Sequence, residues 1–224
     1  MISEAASATA ASARHMVRLA LKGALATTDA ATGAPYTSMV LLATDVGGAP
    51  LTLISTLARH TKNLLAKPTA SLMIDLSNPA GDAESGGRIT LMGTFVPVLP
   101  DQSRARFLAR HPAATAYADF ADFAFYRFEI ASAQMIEGFG RIVPLTGSAL
   151  LPPPHDAPDF ATTEARYLTD LRRQWPAVSG LDPEGVDLRH VGHSGRHNFP
   201  SPVNTTEAAY RAAAKYLSGQ ASGN

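Results

Sequence analysis

Cysteine is absent from this sequence of 224 residues. Its absence excludes disulfides, thiolate nucleophiles, cysteine-bound zinc and iron–sulfur clusters, and it fits the reducing cytoplasm, where we expect the chain to work. Net charge is also lacking, because 19 basic residues balance 19 acidic ones. A chain without a long-range electrostatic field does not attract nucleic acid or an anionic membrane. We therefore expect neither as a partner.

Long apolar runs are missing as well. No segment approaches the ~20 consecutive apolar residues that a membrane-spanning helix requires. Residues 1–13 are rich in alanine and serine and lack the apolar core of a secretory signal. They are interpreted as the frayed start of a helix over residues 14–22, which Gly23 ends.

Short strand-forming runs separated by turn residues dominate the first 143 residues. About seven strands are expected, at residues 24–28, 36–43, 51–55, 70–76, 88–99, 123–130 and 133–136. The tight turns between the first three predict an antiparallel meander, and Gly93 predicts a bulge or bend. Helices are expected at residues 57–67 and 101–110, with a loop over residues 77–87. This pattern predicts a β-barrel with added helices.

A proline-rich stretch over residues 152–158 predicts a boundary between two domains. We place the first domain at residues 1–145 and the second at residues 146–224. The second is expected to contain a helix over residues 163–174, a hairpin around Gly192–Gly195 and a final helix that ends near Leu217.

The start of the predicted helix after Ser55 carries chemically useful side chains. His60, Thr61, Lys62 and Asn63 place imidazole, hydroxyl, ammonium and amide groups there. A helix N-terminus presents free N–H groups and favours negative charge. The pattern is typical of a phosphate site, and it is equally typical of a polar first helical turn that faces water.

An ordered set of short segments resembles a known family. The segments are Leu25-Ala26-Thr27, residues 33–38, residues 55–63, Ala70-Ser71-Leu72, residues 88–93, His111-Pro112, residues 122–126 and residues 138–141. The set is similar to the haem iron utilisation family of pyridoxamine-phosphate-oxidase-like split barrels, over residues 14–143. Residues 181–188 and 199–202 resemble the small domain that follows the barrel in that family. The resemblance implies an α+β fold that is mainly β, with a split β-barrel followed by a small C-terminal α/β domain.

The resemblance also implies FMN at the interface of a homodimer. By this similarity the flavin ring would meet the strand at Ser38, Met39 and Val40, and Ser55 would lie near the ring or ribityl chain. Thr61 and Lys62 would hold the phosphate with His60 and Asn63 close by, and Arg88 would reach the flavin from the second subunit. Ser38 stands where pyridoxamine-type oxidases usually have an arginine, so oxidation of pyridoxamine phosphate itself is not expected.

Three functions stay open at this point. The first is an FMN-dependent oxidoreductase with an unknown small-molecule substrate and no identified catalytic residue. The second is a haem-binding or haem-degrading protein with His193 or His197 as the axial ligand, because three histidines lie within residues 190–197 beside two arginines. The third is a non-catalytic binding module. Apart from these haem ligands, no metal site is predicted.

Overall fold

The fold comes from a computed structural model that describes residues 4–76, 87–138, 140–152 and 155–221. The expected loop at residues 77–87 lies outside the described residues except for Gly87, which opens a strand. The larger sheet contains β1 (Lys22–Thr28), β2 (Pro35–Leu41), β3 (Ala43–Thr44), β4 (Pro50–Ser55), β5 (Thr69–Asp75), β6 (Gly87–Pro97), β7 (Phe123–Glu137) and β8 (Ile142–Thr146). Three helices accompany it, namely α1 (Glu4–Leu19), α2 (Arg59–Ala66) and α3 (Pro100–Arg110).

A smaller sheet follows the larger one. It contains β9 (Val178–Asp182), β10 (Gly185–Arg189) and β11 (Ser194–Asn198), and α4 (Ala157–Gln174) and α5 (Thr206–Ala221) share its hydrophobic core. All the strand pairs of both sheets are antiparallel. This arrangement confirms the predicted α+β fold class. The predicted domain boundary after residue 145 stays a prediction.

The strand order shows where the barrel is open. The larger sheet runs β2-β1-β5-β6-β7-β4-β3, with β8 on β7. The expected meander is therefore wrong in part, because β4 pairs with β3 and β7 and not with β2. The backbone leaves β2 at Leu42, whose N–H donates to the Leu21 carbonyl. A turn signal identifies the end of a strand but not its partner.

The bulge expected at Gly93 is confirmed. The register between β6 and β7 shifts between Met92 and Gly93, which leaves Ala131 without a partner across the ladder. A Cβ atom at Gly93 would lie 2.0 Å from the carbonyl oxygen of Glu129, so only glycine fits. The two strands expected at residues 123–130 and 133–136 are a single strand that continues through this bulge.

The first helix begins earlier than expected and ends earlier too. It starts at Glu4 and stops at Leu19, and Gly23 lies inside β1. Alternate residues of β1 point into the barrel, where Leu25 is fully buried. The interior side chains of β1, β5 and β6 form the barrel core together with α1. No helix among the described residues is long and apolar enough to cross a membrane.

Four buried arginines join the barrel to the small sheet. Arg18 comes from α1, Arg106 and Arg110 from α3, and Arg196 from β11. Their carboxylate partners come from α4, β9 and β10, and we call the whole set the arginine cluster: Arg18, Arg106, Arg110, Arg196, Glu164, Asp182 and Asp187. A buried charge is tolerated only when it is paired, so the cluster fixes the two sheets against each other.

Asp182 is the centre of the arginine cluster. Its carboxylate is fully buried, with Arg18 at 3.0 Å and Arg196 at 2.7 Å. Burial opposes its ionisation, but the two guanidinium groups outweigh burial and hold the pKa of Asp182 below its ordinary value. The carboxylate is therefore charged at neutral pH, and its contribution to stability is lost only in strong acid.

Replacing Asp182 by asparagine should lower the free energy of unfolding by about 3–5 kcal/mol, because it leaves a buried guanidinium group uncompensated. Urea unfolding followed by circular dichroism measures this loss. Glu207→Gln is the matched control, since it breaks an exposed pair with Arg211 and should change stability by less than ~1 kcal/mol. Equal losses in the two variants would contradict the role given to the cluster.

Candidate functional site

The start of α2 lies beside the edge strand of the barrel. β4 ends at Ser55, and α2 begins at Arg59 with Ala58 as its N-cap residue. Ala58 has no side chain that could accept a hydrogen bond from the helix N–H groups. The helix start therefore leaves donors for other acceptors.

Ser38 and His60 lie side by side between β2 and the start of α2. The Ser38 Oγ atom on β2 lies 3.1 Å from His60 Nδ1 on α2. His60 Nε2 is buried and has no hydrogen-bond partner in the described chain. Burial lowers the pKa of His60, so the imidazole is neutral at pH 7.

Thr61 and Lys62 point in different directions. Thr61 is fully buried, and its Oγ1 atom has no partner among the described residues. Lys62 is exposed to solvent. A buried hydroxyl without a partner is uncommon and indicates either a locally unfavourable position or a missing ligand. The helix start thus offers two unpaired buried polar atoms and one exposed cation.

Two of the residues expected to contact the cofactor already have partners in the chain, namely Ser55 and Asn63. Ser55 Oγ donates a short hydrogen bond to the carboxylate of Asp122. Asn63 accepts from Ala30 N–H at 2.9 Å and donates to Thr27 Oγ1 at 3.0 Å, which ties α2 to the turn after β1. The Asp122 carboxylate carries negative charge and disfavours a second anion beside Ser55.

Arg59 is another cation at this helix start, and sequence reasoning gave it no role. Its Nε atom donates to Asp29 at 2.7 Å, and its guanidinium carbon lies 4.8 Å from the centre of the Tyr36 ring. The hydrogen bond from Arg59 holds the pKa of Asp29 below its usual range. Neither this pair nor the contact of Ser55 with Asp122 has a local sequence signal, because the partners are far apart in the chain.

Met39, Val40 and Arg88 follow the alternation of their strands. Val40 is buried in the barrel, whereas Met39 is 62% exposed on the outer face. Arg88 lies on β6, three strands from β2 in the sheet order, which corresponds to roughly 14 Å at the usual strand spacing. Within one chain Arg88 does not join the group at α2.

An apolar area on the outside of the barrel is exposed. Met39, Ala24 and Met73 form one row across β2, β1 and β5, and Met92 on β6 lies in the row beside it. We call the surface of Met39, Met73 and Met92 the methionine face. Their exposed fractions are 62%, 42% and 37%. Exposed apolar side chains on neighbouring strands are typical of a contact surface.

The C-terminal histidines lie on the hairpin of β10 and β11. Gly192, with φ +83°, makes the turn, and the His190 and His193 rings stack at 4.9 Å. His193 Nδ1 lies 3.3 Å from the Val191 carbonyl oxygen. A carbonyl oxygen only accepts, so His193 Nδ1 is the donor in this hydrogen bond.

His197 has a different environment from His193. Its ring stacks on Tyr216 at 3.4 Å with an interplanar angle of 7°. Burial, followed by the nearby Arg196, lowers the pKa of His197. One face of this imidazole is therefore covered by the chain, whereas His193 is exposed at the turn.

Hydrogen bonds fix this hairpin beside the barrel. Ser194 Oγ donates to the carbonyl of Leu19 at the end of α1, and Arg189 Nε donates to the carbonyl of Arg110 at 2.9 Å. Lys22, the first residue of β1, follows Leu19 closely in the chain. The histidines thus lie at the end of the barrel where β1 begins. No group of three or more metal-binding side chains occurs among the described residues.

One family model and several known proteins are similar to this chain. A family model described as "CREG, beta-barrel" matches residues 4–149. The protein named "Non-canonical heme oxygenase HOZ, chloroplastic", from Arabidopsis thaliana, is 44% identical over 111 residues, which cover 47% of this chain and 33% of that protein. This chain therefore spans only about a third of the length of that relative.

Solved structures share the fold. The structure of a heme binding protein from Mycobacterium smegmatis is 26% identical with a TM-score of 0.60, covering 100% of both chains. The protein Atu2129 (unknown function) from Agrobacterium tumefaciens is 24% identical with a TM-score of 0.79, covering 93% of this chain and 94% of the other. The comparisons confirm the resemblance to split barrels.

Proposed function

This chain belongs to the CREG, beta-barrel family, and we propose that it binds haem at a face shared by two copies of the chain. The observation that carries the proposal is the 44% identity over 111 residues with a protein named as a heme oxygenase. Haem would supply the iron at which O2 reacts, and an external donor would supply the electrons. The residues of the chain would bind and orient the haem. The substrate is thus proposed to be haem itself.

The chemistry of His193 fits an axial ligand. Haem iron is commonly bound by an imidazole nitrogen whose ring donates its other N–H to a backbone carbonyl. His193 Nδ1 is positioned to donate to the Val191 carbonyl, which leaves Nε2 as the ring nitrogen that could bind iron. Arg189 donates to the carbonyl of His193 at 2.9 Å and brings positive charge suited to a propionate. His197, with one ring face against Tyr216, is the less accessible candidate.

The methionine face supports a second copy of the chain as partner. Met39 belongs to β2, an edge strand whose outer side has no partner strand in the described chain. Flexible methionine side chains adapt to a flat apolar surface, and an unpaired edge with exposed apolar residues favours association. We propose a homodimer built on this face, with the hairpin histidines near its margin.

FMN is the second candidate cofactor. The unpaired Thr61 Oγ1 and His60 Nε2 atoms beside Lys62 favour it, because buried polar atoms without partners fit a bound anion. The contact of Ser55 with Asp122 and the internal hydrogen bonds of Asn63 leave fewer donors for its phosphate. If neither haem nor FMN binds, the chain is a non-catalytic binding module.

We also propose the cytoplasm as the compartment of this protein, because the sequence lacks cysteine.

Haem titration tests the first proposal. The wild-type protein should develop a Soret band that saturates, and His193→Ala should weaken haem binding by roughly tenfold or more, because the axial nitrogen is removed. His190→Ala is the matched control at the same turn and should keep the band. A flat titration of the wild type would overturn haem binding, and loss of the band in His190→Ala alone would overturn the assignment of His193.

Thr61→Val tests the FMN candidate. Valine replaces an unpaired hydroxyl by a methyl group, so the melting temperature of the free protein should stay equal or rise. FMN retention, measured by fluorescence after dialysis, should fall if Thr61 Oγ1 holds the phosphate. Thr52→Val is the control, since Thr52 Oγ1 is also buried and unpaired but lies on β4 away from the helix start. Equal FMN retention in both variants removes Thr61 from the site.

Met73→Glu tests the homodimer. A carboxylate in the middle of the methionine face should repel its copy in the partner and convert the dimer to a monomer in sedimentation velocity. Leu99→Glu is the control, because Leu99 is exposed but lies outside this face. A wild type that sediments as a monomer at high protein concentration would contradict the proposed dimer.

A further inference from the structure

A cavity lies between the barrel and the helices that pack on the smaller sheet, and its lining contains none of the histidines of the β10–β11 hairpin. Its volume is about 600 Å³, which falls within the range of small-molecule sites. We call it the junction cavity. It is lined by the turn between β3 and β4, by Val98 between β6 and α3, by α3, by β7, by the start of α4, and by Leu151, Pro152 and His155.

The wall of the junction cavity is mainly apolar. Val46 and Val98 line one side, and Leu151, Ala157 and Ala161 line another. Leu151 is 63% exposed, so an apolar side chain faces the opening with little cover from the described chain. A surface of this kind favours an apolar ligand body, because each contact removes apolar area from water.

Three charged side chains line the junction cavity, namely Arg106, Arg127 and Asp45. Each arginine is also paired with a carboxylate outside the lining, Arg106 with Glu164 and Arg127 with Glu129, so a ligand anion depends on the donors that these pairs leave unused. Asp45 Oδ1 already accepts from Ala49 N–H at 2.9 Å, and Arg106 is held by the Thr44 carbonyl at 2.6 Å and by a carboxylate of the arginine cluster. These two groups are therefore fixed parts of the wall.

Arg127 is the cation that can take a ligand. Its Nη2 atom donates to Glu129 at 2.8 Å, its side chain is 41% exposed, and no other guanidinium nitrogen has a partner among the described residues. A guanidinium group has five N–H donors, so most of its capacity remains. A smaller cavity of about 340 Å³ shares Asp45, Gly47, Arg127 and Leu151 with the junction cavity, which places Arg127 between the two.

We propose that the junction cavity binds an apolar carboxylic acid, or an organic anion of similar shape, with its carboxylate on Arg127 and its apolar body against Leu151 and Ala161. This site is separate from the proposed haem ligand His193. It is a second small-molecule site in each copy of the chain, and it requires no second copy.

Two fluorescent probes test the charge requirement. 8-Anilinonaphthalene-1-sulfonate carries an aromatic body and an anionic group, and N-phenyl-1-naphthylamine carries a similar body without charge. Arg127→Gln should lower the affinity for the anionic probe by about tenfold, because a hydrogen bond between charged groups is lost. The affinity for the neutral probe should stay within about twofold of the wild-type value. Equal affinities of the anionic probe for the wild type and Arg127→Gln would overturn the anion site.

A matched pair of tryptophan variants tests the location. Ala161→Trp fills the junction cavity and should abolish saturable binding of both probes. Ala165→Trp lies one helical turn further along α4, is exposed and should bind both probes like the wild type. Unchanged probe binding in Ala161→Trp would overturn the site. The haem titration of Ala161→Trp should match that of the wild type, which separates this result from a failure of the proposed haem function.

Discussion

The pairing of buried charges between the barrel and the smaller sheet is the constraint on which the rest of the structure depends. Arg18, Arg106 and Arg110 lie on the two helices α1 and α3 that accompany the barrel, and their carboxylate partners lie on α4, β9 and β10. None of these side chains is stable alone in an apolar environment. Packing of the two parts is therefore cooperative, and it sets the positions of the histidine hairpin and the junction cavity.

The open barrel explains why the exposed surfaces are where they are. Because β2 and β3 end the sheet without meeting, the outer face near Met39 has no covering layer among the described residues, and α2 closes the interior beside Ser38. A closed barrel would have removed the free edge and buried more of the sheet. The split thus leaves a free edge at β2, on which we propose that a second chain packs, and the unpaired polar atoms of Thr61 and His60 lie on the neighbouring helix α2.

Local features could be predicted from the sequence, whereas long-range pairing could not. Gly93 predicted the bulge because a glycine inside a strand often marks a bulge or bend. The turn at Gly192 predicted the hairpin of β10 and β11. The continuous strand β7 was divided in two because the bulge at Ala131 interrupts its alternation. The contact of Ser55 with Asp122 joins residues far apart in the chain, and no local pattern encodes such a pair. The arginine cluster was missed for the same reason.

α3 connects the two proposed ligand regions. Arg106 lines the junction cavity and bonds Glu164, and Arg110, one turn later on the same helix, accepts at its carbonyl from Arg189 of the histidine hairpin. A ligand that displaced α3 would therefore also move the Arg110 carbonyl, to which the hairpin is hydrogen-bonded. The displacement would pass along the helix, without direct contact between the ligand and the hairpin. Coupling of this kind requires α3 to have two arrangements of similar free energy. The buried ion pairs at Arg106 and Arg110 oppose a second arrangement, so the two sites should bind their ligands independently.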